Sequence, residues 1–387
     1  AEDWWVVSDL GGLDGRTRPL PADHVLGVGG ASTTLAQLTV RPPVGRALDL
    51  GTGCGVQGLH LSRHSDAVVA TDVLPRALAM ARLTADLSGV ALDLRRGSFF
   101  APVAEERFDL VVSNPPFVIS PEGGYAYRDS GLPLDDVGRR LVGEAPGHLA
   151  PGGWCQLLAN WVHRRGEDWR ERVGGWLPAT GCDAWVVQRE VQDPGEYVSL
   201  WLHDSGEAAA PDYPQRYDRW LRGLEDAHVE AVGFGWITLH ASGAARPRWR
   251  LEHWPHPVEQ PLGAEVQDFF ARADWLRRHG SDDALLAARL LVAPDVRQEQ
   301  VGRPGAEDPE HVLLRASRGL RRAREVDTVT AALVGACEGT LPVAALLEAI
   351  ALLLDEEPAM LRAESPGLVR ELVADGFLRP AEPQPTA

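Results

Sequence analysis

The run GRALDL (45–50) passes at once into a glycine-rich turn, then into a helical stretch, GVQGLHLSRH (55–64), and a second apolar run, AVVATDV (67–73). Strand, tight turn, helix and strand in about thirty residues make one βαβ unit, and that unit leaves little choice of fold. Its two strands are parallel, and parallel strands need cover on both faces. The alternation continues downstream. Pro75 opens a helix in which Leu74, Ala77, Leu78, Ala81 and Ala85 recur at helical spacing, and Gly89 closes it. ALDLRR (91–96) and FDLVVS (108–113) supply two more strands. GGWCQLLANWV, CDAWVVQREV and AVGFGWITLHA are later strands, with helices DWRERVGGWL and YPQRYDRWLRGLEDAHV among them. The expected fold is α/β, a doubly wound Rossmann-like sheet, mainly parallel, with helices on both faces.

A chain of 387 residues with 44% hydrophobic content accommodates two or three domains of ordinary size. Residues 1–44 form a segment flanking the first strand, and residues 45–258 carry the alternating pattern. Beyond them, 259–387 read as a mainly helical domain. Its end, LVRELVADGFLRP, runs a helix into Asp375-Gly376 and then Phe377-Leu378, which fits a winged helix or an ordinary turn. The tail from about residue 379 is biased in composition and is expected to be disordered. The longest apolar stretch, LPVAALLEAIALLL (341–354), is interrupted by Glu348 and falls short of the ~18 residues of a membrane helix, so no membrane partner is expected.

Cys54, Cys155, Cys182 and Cys337 are far apart and form no CxxC pair, as suits reduced thiols in a cytoplasm better than disulfides or a zinc site. The chain begins at Ala1 rather than Met, so its start is weak ground for or against a leader. The net charge of −17 counts against a broad nucleic-acid-binding surface. Every basic residue is arginine, a usage that follows genomic base composition. The best local basic cluster is RASRGLRRAR, with arginines at 315, 318, 321, 322 and 324; a solvated face is its default reading, a phosphate or an acidic protein face the alternative. His253 and His256 have no partners at metal-ligand spacing and read as surface histidines.

The chemistry begins in LDLGTGCGVQG. Glycines 51, 53 and 55 allow a tight turn and bring backbone N–H groups close to a ligand that side chains would exclude. Residues 53–58 also satisfy GxGxxG, the dinucleotide pattern. Asp72, ending the second strand about twenty residues on, can accept ribose hydroxyls from a dinucleotide or an adenosyl group alike. The fourth strand then stops abruptly at Asn114-Pro115-Pro116-Phe117. Neither proline can donate to a ladder, so a rigid polar corner stands at the carboxyl end of a buried strand, where open α/β sheets bind ligands.

Taken in order, strand, DLGTGCG loop, acidic strand end and NPPF closely resemble the class I S-adenosylmethionine-dependent methyltransferases, in the branch that methylates planar nitrogens. The resemblance covers roughly residues 25–160. It implies that Asp49 and the backbone of Gly51, Gly53 and Gly55 hold the methionine part of S-adenosyl-L-methionine. By the same resemblance Asp72 holds the ribose, and GSFF, with Ser98 and Phe99, borders the adenine. Ser98 stands where many relatives carry aspartate, and Phe99 is expected to supply stacking. Asn114, Pro115, Pro116 and Phe117 are the expected catalytic group, with Asn114 also beside the cofactor.

Delocalisation makes an amide or aromatic amine nitrogen a poor nucleophile, so the site must hold its N–H groups with acceptors that favour pyramidalisation. The Asn114 side-chain oxygen and the Pro115 carbonyl are suited to this, and Phe117 to packing on a flat acceptor. The nearest resemblance is to protein-glutamine methyltransferases of the release-factor type, from which the chain departs at Phe117, usually tyrosine, and in its C-terminal extension. The related rRNA and DNA amino-methyltransferases follow. The acceptor is therefore a macromolecule, protein first and RNA or DNA as the alternative. A non-catalytic, cofactor-sensing DNA-binding protein is the reading from another class, and the intact NPPF corner argues against it.

Upstream, Ser32 or Thr33 is a candidate N-cap of a helix whose N-terminus could face the cofactor carboxylate. Downstream, Tyr127, Arg128 and Asp129 lie in a long glycine-rich loop expected to be a flap or a solvated loop.

Overall fold

The computed structural model describes residues 3–10, 20–120, 132–207, 210–305 and 309–381. Its contacts divide the chain into two units, Ala1–Pro255 and His256–Ala387. Tyr127, Arg128 and Asp129 lie outside the described residues.

The first unit is built on eight strands, β1 (Val44–Leu50), β2 (Ser65–Asp72), β3 (Asp93–Arg96), β4 (Phe108–Ser113), β5 (Leu149–Arg164), β6 (Asp183–Gln192), β7 (Val229–His240) and β8 (Trp249–His253). They lie in the order β3-β2-β1-β4-β5-β7-β6-β8. β3, β2, β1, β4 and β5 are mutually parallel, β7 is antiparallel to both β5 and β6, and β8 runs parallel to β6. β1 and β4 are central, and their carboxyl halves, 47–50 and 110–113, are buried on both faces. Alternation sorts their side chains: Leu48 and Leu50 join a core with Val111, Val137, Leu141 and Trp176, while Asp49 points to the opposite face, where the first residues of the helix Val56–Leu61 lie.

Among the described residues, seven α-helices accompany this sheet: α1 (Gly30–Leu38), α2 (Val56–Leu61), α3 (Pro75–Ser88), α4 (Asp136–Glu144), α5 (Trp169–Gly174), α6 (Pro194–Asp204) and α7 (Tyr213–Asp226). α3 starts and stops where its sequence says, with Pro75 in its first turn and Gly89 in the left-handed region at φ 65°. α1 departs from the reading above. It is capped by Gly29 without a side-chain bond, and Thr33 instead returns its hydroxyl to the Gly29 carbonyl at 3.0 Å. Backbone reach, rather than a Ser or Thr cap, begins this helix.

The order of strand addition reverses between β1 and β4: β2 and β3 lie to one side, β4 and β5 to the other. The turn after β1, the end of β2 and the corner after β4 therefore converge at the carboxyl ends of neighbouring strands.

The second unit contains helices α8 (Gly263–Arg278), α9 (Asp282–Ala287), α10 (Thr328–Ala336), α11 (Val343–Leu354) and α12 (Pro358–Ala374). Its strands are β9 (Arg289–Val292), β10 (Val296–Val301), β11 (His311–Ala316), β12 (Ala323–Val326), β13 (Glu338–Pro342) and β14 (Leu378–Pro380). They form two three-stranded sheets, β10-β11-β12 and β13-β9-β14. The region is thus richer in strands than its helical pattern suggested, because these pairings are set by tertiary contact rather than by local periodicity. A core of Leu285, Leu290, Leu333, Leu347, Val369, Leu372 and Phe377 holds them together. Disorder from about residue 379 is corrected here: Leu378–Pro380 pair antiparallel with β9, and of the tail it is 382–387 that lie outside the described residues. The arginine cluster is partly neutralised by its own fold, since Arg315 forms a two-point pair with Glu299 at 2.7 and 3.0 Å and Arg324 reaches Glu371. No helix among the described residues is long and apolar enough to cross a membrane.

Candidate active site

A cavity of about 800 Å³ opens over the carboxyl ends of β1, β2 and β4. One wall is the turn after β1. There Gly53 adopts φ 54°, and nothing lies within 4 Å of where a side chain would begin, so the bare backbone faces open space. Gly55 is also left-handed, at φ 86°, but for a packing reason: a Cβ there would meet the Cα and Cβ of Ala81 on α3 at 3.2 Å. Gly51, Thr52, Gly53 and Cys54 line the cavity; Gly55 does not.

Asp49 stands behind this turn rather than in the cavity wall. It is 1% exposed, and its Oδ2 accepts from the Thr52 hydroxyl at 2.6 Å and the Gly58 N–H at 2.9 Å. It therefore shapes the loop from beneath. Burial pushes its carboxyl up to about 6, against the lowering effect of those two donors. Asp72 does line the cavity. Its Oδ2 accepts from Gly53 N–H at 3.0 Å and its Oδ1 from Leu74 N–H at 2.9 Å, so one carboxylate ties the glycine turn to the end of β2. Burial raises its pKa also, and the three backbone donors it meets oppose that shift. Ser98 and Phe99 form the next stretch of wall, with the Arg140 guanidinium 4.2 Å from the centre of the Phe99 ring.

Opposite lies the corner after β4. Ser113 ends the strand with its hydroxyl donating to the Leu50 carbonyl at 2.8 Å, which fixes β4 against β1. Asn114, Pro115 and Pro116 then line the cavity. The Asn114 side-chain oxygen is buried and has no hydrogen-bond partner among the described residues. A buried acceptor left open costs roughly 1–3 kcal/mol, and such groups gather at functional sites. Phe117 is not in the wall. It packs into the core beside the corner, with its ring edge-on to Trp201 at 6.5 Å, and Trp201 reaches the cavity in its place.

The residues supporting this corner escaped the sequence reading. Ile119 donates its N–H to the Tyr197 hydroxyl at 2.7 Å and accepts from the Trp220 indole at 2.8 Å, so α6 and α7 clamp the chain just beyond NPPF. A signal for α6 was present: Asp193 caps it by accepting from Gly195 and Glu196 N–H groups, Pro194 follows, and Tyr197, Val198, Trp201 and Leu202 recur at helical spacing. Gln156 on β5 is a second such residue. It accepts from Val40 N–H at 2.7 Å and donates to the Leu38 carbonyl at 3.0 Å, which anchors the far end of α1 while Gly30, Ala31 and Ser32 face the cavity. Ser8, Asp9 and Leu10 complete the rim, held by the ion pair of Asp9 with Arg76 and by Val7 N–H donating to Thr84 Oγ1 at 2.9 Å.

Four buried cysteines are unpaired, and no group of three or more His, Cys, Asp or Glu among the described residues could hold a metal ion. The cavity offers backbone N–H groups, one carboxylate bonded to the glycine turn, an aromatic wall and an amide oxygen with no partner among the described residues. That set suits an adenosyl cofactor with a charged amino-acid end and a flat, N–H-bearing acceptor.

Comparison with known proteins agrees with this donor set. Residues 27–167 match the model of the methyltransferase small domain, and residues 267–380 match a domain of unknown function, DUF7782. A release factor glutamine methyltransferase of Geobacter sulfurreducens is 33% identical over 162 residues, 38% of this chain and 55% of that protein. A second, from Cereibacter sphaeroides, is 37% identical over 184 residues, 43% of this chain and 63% of that protein. A ribosomal RNA small subunit methyltransferase C of Alcanivorax borkumensis is 34% identical over 116 residues, 30% of this chain and 32% of that protein. The chain thus spans 32–63% of the length of these relatives. Loop, acidic strand end and amide corner all fall inside the matched residues, and residues 27–167 are a methyltransferase small domain of the class I, S-adenosylmethionine-dependent kind.

Proposed function

We propose that the chain is a cytoplasmic N-methyltransferase acting on a planar amide or amino nitrogen of a macromolecule, with protein glutamine as the leading acceptor. The observation that carries this reading is the buried, unpartnered Asn114 oxygen in the wall of the same cavity as Asp72 and the glycine turn. An acceptor oxygen without a donor is what an incoming N–H group completes.

The cofactor would be held by the turn backbone at Gly51 and Gly53 and by Asp72, with Ser98 and Phe99 at the base; Asp49 acts by holding the turn. When bound, S-adenosylmethionine supplies a methyl group on a sulfonium, an electrophile that needs no metal or external activation. The chain's own residues do the rest. Asn114 Oδ1 and the Pro115 carbonyl take the acceptor's two N–H groups, which draws the nitrogen lone pair out of conjugation. The prolines fix that carbonyl, the α6–α7 clamp on Ile119 keeps the corner from relaxing, and Trp201 covers the flat group. Catalysis then rests on positioning and fixed dipoles; the nitrogen, made strongly acidic by methylation, gives up one of its N–H protons to water, so no strong general base is required.

The acidic charge of −17 supports a protein acceptor over a nucleic acid. The relatives, a release factor glutamine methyltransferase and a ribosomal RNA methyltransferase among them, support the same two acceptor classes. We assign the second unit to docking or assembly, because the cofactor and amide motifs are complete before it begins. Incubation of the protein with radiolabelled cofactor and fractionated cell protein, tRNA, rRNA and DNA tests the reading: label in protein, at a glutamine, is the expected result. Label in rRNA alone would reassign the acceptor, and label in no fraction would refute methyl transfer.

A further inference from the structure

The second unit ends in two helices whose outer corner is apolar and acidic at once. α11 buries Val343, Leu346, Leu347, Ile350 and Ala351 in the core, yet the next three residues face solvent, with Leu352 82% and Leu353 83% exposed. Asp355, Glu356 and Glu357 follow directly, all exposed, and Met360 in the first turn of α12 is 45% exposed. Glu348, one turn before Leu352, and Glu364, one turn after Met360, extend the acidic rim. Arg362 is the sole cation between Val343 and Val369, and it is paired with Glu348 at 2.8 Å.

Scattered apolar side chains on a surface need no explanation, but consecutive leucines at this exposure, edged by acids, mark a contact surface. The charge says what it contacts. Phosphate backbones and anionic membranes would be repelled by Asp355, Glu356, Glu357 and Glu364, whereas lysine or arginine would be drawn to them. We propose that this corner is a docking surface for a basic amphipathic helix of a partner protein. The helix seats its apolar face on Leu352, Leu353 and Met360 and lays its cations over the acidic rim. The inference stands apart from the catalytic reading, since no residue of the first unit enters it.

Fluorescence anisotropy with the full chain tests it. The probes are a labelled synthetic helix with leucines on one face and arginines on the other, the same helix with glutamates for arginines, and a DNA duplex. The expected result is binding of the basic helix alone, weakening as salt rises. Leu352→Ser with Leu353→Ser should reduce that binding at least about tenfold, with the melting temperature unchanged. Glu356→Lys with Glu357→Lys should do the same without touching a leucine, which keeps the test intact if the serine variant misfolds. Equal binding of the glutamate helix or of DNA, no binding of the basic helix, or undiminished binding by the lysine variant would each overturn the proposal. So would loss of a dimer in the serine variant, since the leucines would then be covered by a second copy of this chain.

Discussion

Replacing Asn114 with alanine separates a catalytic acceptor from a structural one, because the two roles predict opposite changes in stability. In the resting protein the Asn114 oxygen is buried without a partner among the described residues, an arrangement that costs about 1–3 kcal/mol. Alanine removes that atom and leaves Asp72 and the glycine turn untouched. Folding should therefore lose nothing and gain up to ~1 kcal/mol, a rise of about 2–4 °C in melting temperature for a unit of this size. Methyl transfer should fall by roughly a hundredfold, equivalent to ~2.7 kcal/mol, the scale for one lost preorganised group. Cofactor affinity by calorimetry should stay within a few-fold. Asn114→Asp, which keeps an acceptor, should retain more activity than the alanine variant. Single-turnover transfer of labelled methyl to the acceptor identified by fractionation, a melting curve and calorimetry with the cofactor give the three numbers. A variant that melts several degrees lower and loses cofactor affinity in step with its rate would show that the corner is only a strand end.

Asp72→Asn should weaken cofactor binding by about 1–3 kcal/mol, since a charged acceptor becomes a neutral one while the Gly53 and Leu74 N–H bonds lose strength; unchanged affinity in calorimetry would mean the ribose lies elsewhere. Asp49 makes stability depend on pH in an unusual direction. Its folded pKa, about 6, lies above the ordinary 3.8, so its contribution is fully present below about 3.8 and is lost as pH rises through about 6. The size is ~3 kcal/mol, and urea titrations from pH 4 to 7 should show that decline in the wild type and a flatter profile in Asp49→Asn. Gly55→Ala should destabilise the fold by ~1–3 kcal/mol, because it combines a left-handed φ with a Cβ pressed on Ala81; an unchanged melting temperature would show that α3 yields easily.

What could be read from the sequence was whatever is dictated over short stretches of chain. β1, the glycine turn, α2 and β2 follow one another within thirty residues, and the apolar runs, Pro75 and Gly89 marked their limits to within two or three positions. β8 and β9 carry no such local mark. β9 is four residues long and pairs with β13 and β14, whose partners lie about fifty and ninety residues away in sequence, so its pairing exists only once the second core has formed.

The same division runs through the site. Asp72 and Asn114 were legible because a strand end in a parallel sheet has one place to point. Asp49 and Phe117 belong to the same motifs, yet they sit outside the cavity wall, because alternation along a strand and packing beyond a corner decide which face a side chain takes. A motif fixes the path of the backbone and leaves open which of its side chains meets the ligand. Trp201 shows the converse. It enters the wall from a helix inserted between β6 and β7, more than eighty residues after Asn114, and no spacing rule links the two. The connection is physical: Tyr197, one turn before Trp201, holds the Ile119 N–H, so the helix that fixes the corner also carries the ring that covers it. Loosening that clamp should therefore move both walls of the acceptor end together. Under the proposed function, acceptor choice would reside in the β6–β7 insertion and the chemistry in the corner.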